Sequence, residues 1–259
     1  MILYFSGTGN SKFAAEFLAD HLKDQCVSLN DILKHKKEPS FKSEKPFVVC
    51  APIYAGRYPG IVMKLLRKAQ FAGSKRIYYI ATLGSKSCSC EPSLRKMTSE
   101  KGMQTAGLFF LTMPNNYVPG GNIPSKADAE YQLKYVSVPE LYKIADTISI
   151  NDTLPEGTSN PVTTALSSSV NTLYNKFMVS SDNFVVNENC VVCRKCEKVC
   201  PVNNIIIING DPVFRKRCIG CYGCINVCPR KAINIGKKTE KTNRYFCPEY
   251  SDWKEKGLV

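Results

Sequence analysis

A cysteine motif that occurs twice within 40 residues constrains this chain more than any other feature. Cys190 to Pro201 reads C-V-V-C-R-K-C-E-K-V-C-P, and Cys218 to Pro229 reads C-I-G-C-Y-G-C-I-N-V-C-P. Both copies have the spacing Cys-x2-Cys-x2-Cys-x3-Cys-Pro. Three cysteines at intervals of three can wrap one loop around three irons of a cubane cluster, so the fourth thiolate must come from elsewhere.

This spacing predicts two [4Fe-4S] clusters. In two-cluster proteins the fourth ligand comes from the other half of the repeat. Zinc and disulfides are the alternatives, because paired Cys-x2-Cys knuckles also bind zinc. A tetrahedral zinc site, however, has no role for the third cysteine or for the Cys-Pro. The stretch resembles the bacterial two-cluster ferredoxins. The predicted ligand sets are Cys190, Cys193, Cys196 and Cys228 for one cluster, and Cys218, Cys221, Cys224 and Cys200 for the other.

Length and composition indicate an ordinary globular protein of two modest domains. The chain has 259 residues, of which 44% are hydrophobic, and no apolar run of membrane-spanning length. Its first ten residues lack the basic region and cleavage site of a signal peptide. Thirteen cysteines without an export signal favour a reducing cytoplasm, where thiols stay free to bind metal. We therefore expect a cytoplasmic protein without a membrane span.

The net charge of +13 raises the question of a nucleic-acid partner. The basic residues are scattered along the chain, and no nucleic-acid-binding motif accompanies them. We expect no nucleic-acid partner. A solvated basic face and attraction to an acidic redox partner both remain open.

The N-terminus predicts a strand, a phosphate-binding loop and a helix. Residues 1–5 are a continuous apolar run, residues 6–11 read S-G-T-G-N-S, and apolar residues then follow at helical spacing. This arrangement directs backbone N–H groups and a helix N-terminus at a phosphate. The loop has no lysine, which a triphosphatase loop requires. It also has only part of the Gly-x-Gly-x-x-Gly motif of dinucleotide folds.

Hydroxyls and amides without a cation suit a phosphate monoester such as that of FMN. The stretch resembles the flavodoxin fingerprint, with serine replacing threonine at Ser11. By that resemblance, two further loops complete the flavin site. One carries an aromatic that stacks on the flavin, Tyr54 or Tyr58, and a flexible peptide at Gly56. The predicted FMN contacts are Ser6, Gly7, Thr8, Gly9, Asn10, Ser11, Pro52, Ile53, Tyr54, Ala55, Gly56, Tyr58, Thr82, Leu83 and Gly84.

The rest of the first half alternates strand and helix patterns. We expect an α/β, flavodoxin-like, doubly wound parallel sheet of five strands. The strands are predicted near residues 1–5, 25–29, 46–51, 76–82 and 104–113. A long helix is expected over 125–150, broken or bent near Pro139, and another over 163–179. The loop 113–121 is predicted to cover the flavin or to contact the second domain.

The second half predicts a small α+β ferredoxin domain with two [4Fe-4S] clusters. Residues 184–186 and 232–235 are expected to pair, and 205–208 to form a hairpin with 212–214 through Asn209-Gly210. We expect a flavodoxin-like domain over 1–150, a linker and helix over 151–183, the ferredoxin domain over 184–235 and a tail over 236–259. The tail aromatics are expected to cover the domain junction.

This domain order resembles the flavodoxin-ferredoxin fusion proteins of anaerobic bacteria. The resemblance implies FMN, two [4Fe-4S] clusters and electron transfer within the chain. Clusters exchange single electrons, whereas flavin handles one or two. Two hypotheses follow: an electron carrier that docks to other redox proteins, or a reductase acting on a small molecule or quinone at the FMN. The two histidines, His21 and His35, form no acid–base constellation.

Overall fold

The computed structural model describes residues 1–84, 90–154 and 179–259. Its first part is built on a parallel sheet of five strands in the order β2-β1-β4-β6-β7. The strands are β1 (Ile2–Tyr4), β2 (Cys26–Ser28), β3 (Ser40–Ser43), β4 (Phe47–Pro52), β5 (Gln70–Gly73), β6 (Arg76–Leu83), β7 (Gln104–Thr112), β8 (Phe184–Val186), β9 (Ile205–Ile208), β10 (Asp211–Phe214) and β11 (Ile233–Ile235). The helices are α1 (Asn10–Leu22), α2 (Leu29–His35), α3 (Gly60–Lys68), α4 (Glu91–Glu100), α5 (Lys126–Gln132), α6 (Val138–Ser149), α7 (Lys195–Val199), α8 (Gly223–Asn226) and α9 (Tyr250–Glu255).

The central strands are apolar throughout because helices cover both faces of the sheet. Side chains alternate across β4, so that Val48 and Cys50 pack on the α1 and α6 side while Val49 and Ala51 pack on the α3 and α4 side. Strand order reverses between β1 and β4, which is where ligands bind in sheets of this kind. The predicted flavodoxin-like five-stranded fold is confirmed.

Three features of the first part were not predicted or differ from the prediction: a pair of short strands, a helix and a π-helical turn. Strands β3 and β5 form a separate parallel pair, and α2 follows β2 directly. The predicted helix over 125–150 stays helical, but a π-helical turn, Leu133–Ser137, separates α5 from α6. Pro139 lies in the first turn of α6, where its missing N–H is tolerated. The irregularity expected near Pro139 is therefore a widened turn rather than a break.

The second part consists of short strands and cysteine loops. Strands β8 and β11 pair antiparallel, and β9 pairs with β10 through the two-residue turn Asn209-Gly210. Both turn residues have positive φ, 50° and 91°, as a hairpin of this length requires. Both predicted pairings are confirmed.

The two cysteine repeats share one backbone conformation. Left-handed residues recur in pairs that are 28 positions apart, and the same spacing relates the two motifs. These pairs are Val192 and Gly220, Arg194 and Tyr222, and Asn203 and Lys231, with φ between 49° and 66°. The repeat in sequence is therefore also a repeat in structure.

The predicted helix over 163–179 lies outside the described residues apart from Val179. Ahead of it, Leu154 is buried against β7 and donates its N–H to the carbonyl of Ala106, 3.1 Å away. The C-terminal tail returns to the first domain, where Tyr250 and Trp253 both pack edge-on against Phe13 of α1. No helix within the described ranges is long and apolar enough to cross a membrane.

Candidate functional site

The loop Ser6–Ser11 connects β1 to α1 and is held from several sides. Asn30 accepts a hydrogen bond from the N–H of Ser6 at 2.9 Å and donates to the Ser6 carbonyl at 2.7 Å. Ser6 Oγ in turn accepts from the N–H of Gly9 at 3.0 Å. Gly9 caps α1 with a φ of 95°, which favours glycine. Asn30 lies in α2, and no sequence signal connected it to this loop.

Polar side chains join this loop to the loops that follow β6 and β7. Ser11 Oγ lies 2.6 Å from Thr82 Oγ1, and Asn10 Nδ2 donates to the carbonyl of Pro114 at 2.9 Å. Asn116 Nδ2 donates to Thr8 Oγ1. Asn10 Oδ1 is buried and has no hydrogen-bond partner in the part of the chain that the structure describes. An unpartnered buried acceptor is costly in a folded protein, so this oxygen is available to accept a hydrogen bond from a ligand.

A cavity of about 560 Å³ that is partly open to solvent lies at the carboxyl ends of the strands. Three of the four segments that form most of its wall come from the first domain. The fourth comes from the second cysteine repeat. The residues that line the cavity are Asn10, Pro52–Gly56, Thr82–Gly84, Pro114–Tyr117 and Gly220–Tyr222. The loop 113–121 therefore both borders this cavity and, through a Tyr117–Tyr222 ring contact at 5.6 Å, touches the second domain.

The two predicted stacking candidates lie in different places. Tyr54 lies in the cavity wall, beside a two-residue turn in which Ala55 and Gly56 have φ values of 46° and 82°. Tyr58 is only 3% exposed and donates its hydroxyl to the carbonyls of Val49 and Ile80. Tyr58 is a core residue that does not line the cavity, because its ring faces the sheet. Tyr54 is therefore the tyrosine of this loop that is placed to meet a flavin ring.

The phosphate loop is covered by two cysteines from the C-terminal half. A β-carbon on Gly7 would lie 2.9 Å from Cβ of Cys221 and 2.8 Å from the hydroxyl oxygen of Tyr54. A β-carbon on Gly9 would lie 2.7 Å from Cβ of Cys247. The N–H of Cys247 also donates to the carbonyl of Thr8 at 2.8 Å. Cys247 was not predicted at this site, since a lone cysteine in a polar tail gives no positional signal.

The residues at this end of the sheet fit an FMN. Ser6, Thr8 and Ser11 supply hydroxyls, and the first N–H groups of α1 have no partner within the helix. Asn10, with its unpartnered oxygen, connects this loop to the large cavity. The donor set contains no cation and so suits a single phosphate group. Of the predicted contacts, Asn10, Pro52–Gly56 and Thr82–Gly84 line the cavity, while the other five residues of the Ser6–Ser11 loop are buried and do not line it.

The eight predicted cluster cysteines gather around two further cavities. Each cavity is lined by one complete predicted set, including the cysteine from the other repeat. Cys190, Cys193, Cys196 and Cys228 line one of them, here named the outer site. Cys200, Cys218, Cys221 and Cys224 line the other, here named the inner site.

The chemistry of both sites fits an iron-sulfur cluster. Backbone N–H groups donate to sulfur at equivalent positions of the two repeats: Asn204 to Cys200 at 3.1 Å, and Ala232 to Cys228 at 3.2 Å. Such bonds stabilise thiolate charge and tune reduction potential. Burial raises the pKa of the Cys221 thiol to about 12, so a bound metal would have to displace its proton.

The described cysteines form no disulfide. All twelve of them are free thiols. The choice between clusters and zinc therefore rests on the cysteine spacing, because a tetrahedral zinc site has no role for a third cysteine at the same interval.

Asn226, in α8, connects the two domains. Its side chain donates to the carbonyl of Asn116 at 3.1 Å and accepts from the N–H of Tyr245 at 3.2 Å. It also donates to the carbonyl of Tyr222 at 3.2 Å. One buried amide therefore joins the loop after β7, the cysteine repeat and the tail. Its role depends on three distant segments, so the sequence alone does not reveal it.

Two family models match separate parts of the chain. Residues 1–119 match the model of a flavodoxin domain, and residues 175–233 match that of a 4Fe-4S dicluster domain. No curated protein matches the chain. A solved structure described as a flavodoxin from the domain Archaea is 16% identical, with a TM-score of 0.35, over 57% of this chain and 94% of that one.

Proposed function

We propose that this chain, whose residues 1–119 match a flavodoxin domain and residues 175–233 a 4Fe-4S dicluster domain, carries electrons between two [4Fe-4S] clusters and an FMN held in the same chain. We assign the FMN to residues 1–150 and the clusters to 184–235, with 151–183 as a linker and 236–259 as a tail. When bound, the clusters supply one-electron and the FMN one- or two-electron chemistry.

The observation that carries this proposal is that two residues line both the inner site and the large cavity. Cys221 lines both the inner site and the large cavity that is assigned to the flavin. Tyr222 lines the same two cavities. Two redox groups in these cavities would have only one or two side chains between them. The inner site is therefore the one that we assign to exchange with the flavin.

Residues of the chain position these groups and exclude water. Ser6, Thr8 and the N-terminus of α1 would hold the phosphate, and Tyr54 would pack against the flavin ring. The tail supports this arrangement, because Cys247 covers the phosphate loop at Gly9.

Cofactor content of the anaerobically purified chain tests the assignment. We expect about eight iron and eight sulfide per FMN, the content of two cubanes and one flavin. Four iron per FMN would contradict the second cluster, and zinc without sulfide would contradict both. Cys221→Ser and Cys193→Ser would each be expected to lower iron content. Cys26→Ser, at a cysteine outside both sites, is the matched control.

The second candidate function is an FMN-dependent reductase of a small molecule or quinone. The open mouth of the large cavity favours it, since Tyr117 at that mouth is 37% exposed. The photoreduced chain would be exposed separately to quinones, nitro-compounds and an oxidised ferredoxin. Rapid oxidation by the small acceptors, slowed by Tyr117→Ala, would support the reductase. Transfer to the protein acceptor alone would exclude it.

A further inference from the structure

We propose that the surface around the outer site, formed by residues 191–195 and 229–231, is the docking site for an acidic one-electron carrier protein. This inference rests on the proposed function, because it treats the outer site as the end of the chain at which electrons enter or leave. The partner is identified by its chemistry: a negatively charged surface around a redox group that exchanges single electrons.

The outer site is the more accessible of the two. Its ligand Cys193 is exposed, and Cys190 is partly exposed. At the inner site, in contrast, Cys200 is buried and none of the other three cysteines is exposed. Electron transfer between proteins requires close approach of the redox groups. A partner can approach the outer site directly, whereas the inner site lies against the flavodoxin domain.

An apolar patch lies next to the exposed cysteine. Val191 is 57% and Val192 42% exposed, and both also line the outer site. Val192 also has a φ of 50°, a conformation that is unfavourable for a β-branched residue. The equivalent position of the other repeat is Gly220, which adopts it without strain. An exposed and strained valine at the mouth of a redox site suggests a role in binding.

Basic side chains surround this patch. Arg194, Lys195, Arg230 and Lys231 are all exposed. Arg194 forms an ion pair with Glu197 at 2.8 Å, which leaves the other three to dominate the local field. Residues 184–235 contain eight Lys or Arg and three Asp or Glu, and the charge of two bound clusters with their thiolates would offset most of this excess, so the basic character is local to the rim. An apolar centre with a charged rim is the usual anatomy of a protein interface, and its charge selects a partner of opposite sign.

The exchange at this surface moves one electron and no atoms. In one direction the reduced carrier loses one electron and the iron-sulfur group at the outer site gains it. In the other direction the iron-sulfur group loses the electron and the oxidised carrier gains it. No proton or group transfer is required, so the surface needs no acid or base.

Binding of an acidic two-cluster ferredoxin to the holo chain, measured anaerobically by titration calorimetry at several salt concentrations, tests the proposal. We expect binding that weakens as salt rises. Lys195→Glu with Arg230→Glu should raise the Kd by about tenfold or more, since reversing charges at an interface adds repulsion. Lys64→Glu with Arg67→Glu makes the same change of charge on α3 and should leave the Kd unchanged. If the first pair loses iron, Lys231→Glu replaces it, because Lys231 belongs to the surface and does not line the outer site.

Three outcomes would overturn the proposal. The first is salt-independent binding, and the second is an equal loss of affinity in the α3 control. The third is a dimer of the chain that the surface variant dissociates, because a second copy would then be the occupant. Failure of the proposed function looks different. In that case the flavin would stay oxidised beside reduced clusters, whatever the affinity for ferredoxin.

Discussion

A β-carbon on Gly223 would lie 2.4 Å from the carbonyl oxygen of Gly7. Gly7 belongs to the predicted phosphate loop, and Gly223 begins α8, two residues after the predicted cluster ligand Cys221. The two domains therefore meet backbone to backbone at the point where the flavin and inner sites adjoin. Glycine at both positions permits this approach, since any side chain would separate the loops.

Gly223→Ala should separate these loops. We expect a loss of about 1–3 kcal/mol of unfolding free energy, because the added methyl meets backbone that cannot move aside easily. Denaturant unfolding of the holo chain measures this. Gly60→Ala is the control, since a β-carbon there meets no atom within 4 Å. Equal stability of the two variants would contradict the tight contact.

Val192→Gly should stabilise the ferredoxin domain. Glycine relieves the left-handed strain at this residue, which we expect to add about 1 kcal/mol to the unfolding free energy. Val191 is not among the residues with positive φ, so Val191→Gly should give no gain. The same two variants should bind the acidic ferredoxin less tightly. A Val192→Gly chain that unfolds at lower denaturant concentration than wild type would show that no strain is stored there.

Asn226→Ala should weaken the contact of α8 with the loop after β7 and with the C-terminal tail. The substitution leaves the buried carbonyl of Asn116 and N–H of Tyr245 without their partner, which we expect to cost about 1–3 kcal/mol. Hydrogen exchange should rise in residues 114–117 and 245–247. Asn189→Ala, at an exposed asparagine, is the control. Unchanged exchange in both segments would mean that Asn226 does not connect them.

Asp20 should make attachment of the tail dependent on pH. Hydrogen bonds from Lys254 and then Tyr250 lower the pKa of Asp20 from 3.8 to about 2. Because the folded-state pKa is depressed, the stabilisation is complete above pH 3.8 and is lost as the pH falls through 2. The stabilisation of the folded protein by Asp20 and its partners is about 1 kcal/mol, because the ion pair with Lys254 is partly exposed.

Asp20→Asn should remove this contribution at neutral pH. Fluorescence of Trp253, the sole tryptophan, would report release of α9 from α1. Lys23→Gln is the control, because Lys23 contacts Asp20 from the exposed side of α1 without reaching the tail. Equal fluorescence changes in both variants would contradict the assignment.

Spacing and periodicity predicted the five strands of the main sheet and the hairpin because these depend on local sequence. Contacts between segments distant in sequence were not predictable. Tyr54 and Tyr58 look alike in the sequence, and only the fold shows that one lines the cavity and the other packs on the sheet. The contact of Cys221 with Gly7 and the cover that Cys247 forms over Gly9 required the tertiary arrangement.

Electron transfer from the clusters to the FMN within one chain is the central claim, and single-turnover reduction tests it most directly. A flash of photoreductant would reduce the iron-sulfur centres anaerobically, and loss of flavin absorbance would be followed over a tenfold range of protein concentration. The predicted result is first-order loss of flavin absorbance at a rate independent of protein concentration. A rate proportional to protein concentration, or clusters that stay reduced beside oxidised flavin, would contradict the account.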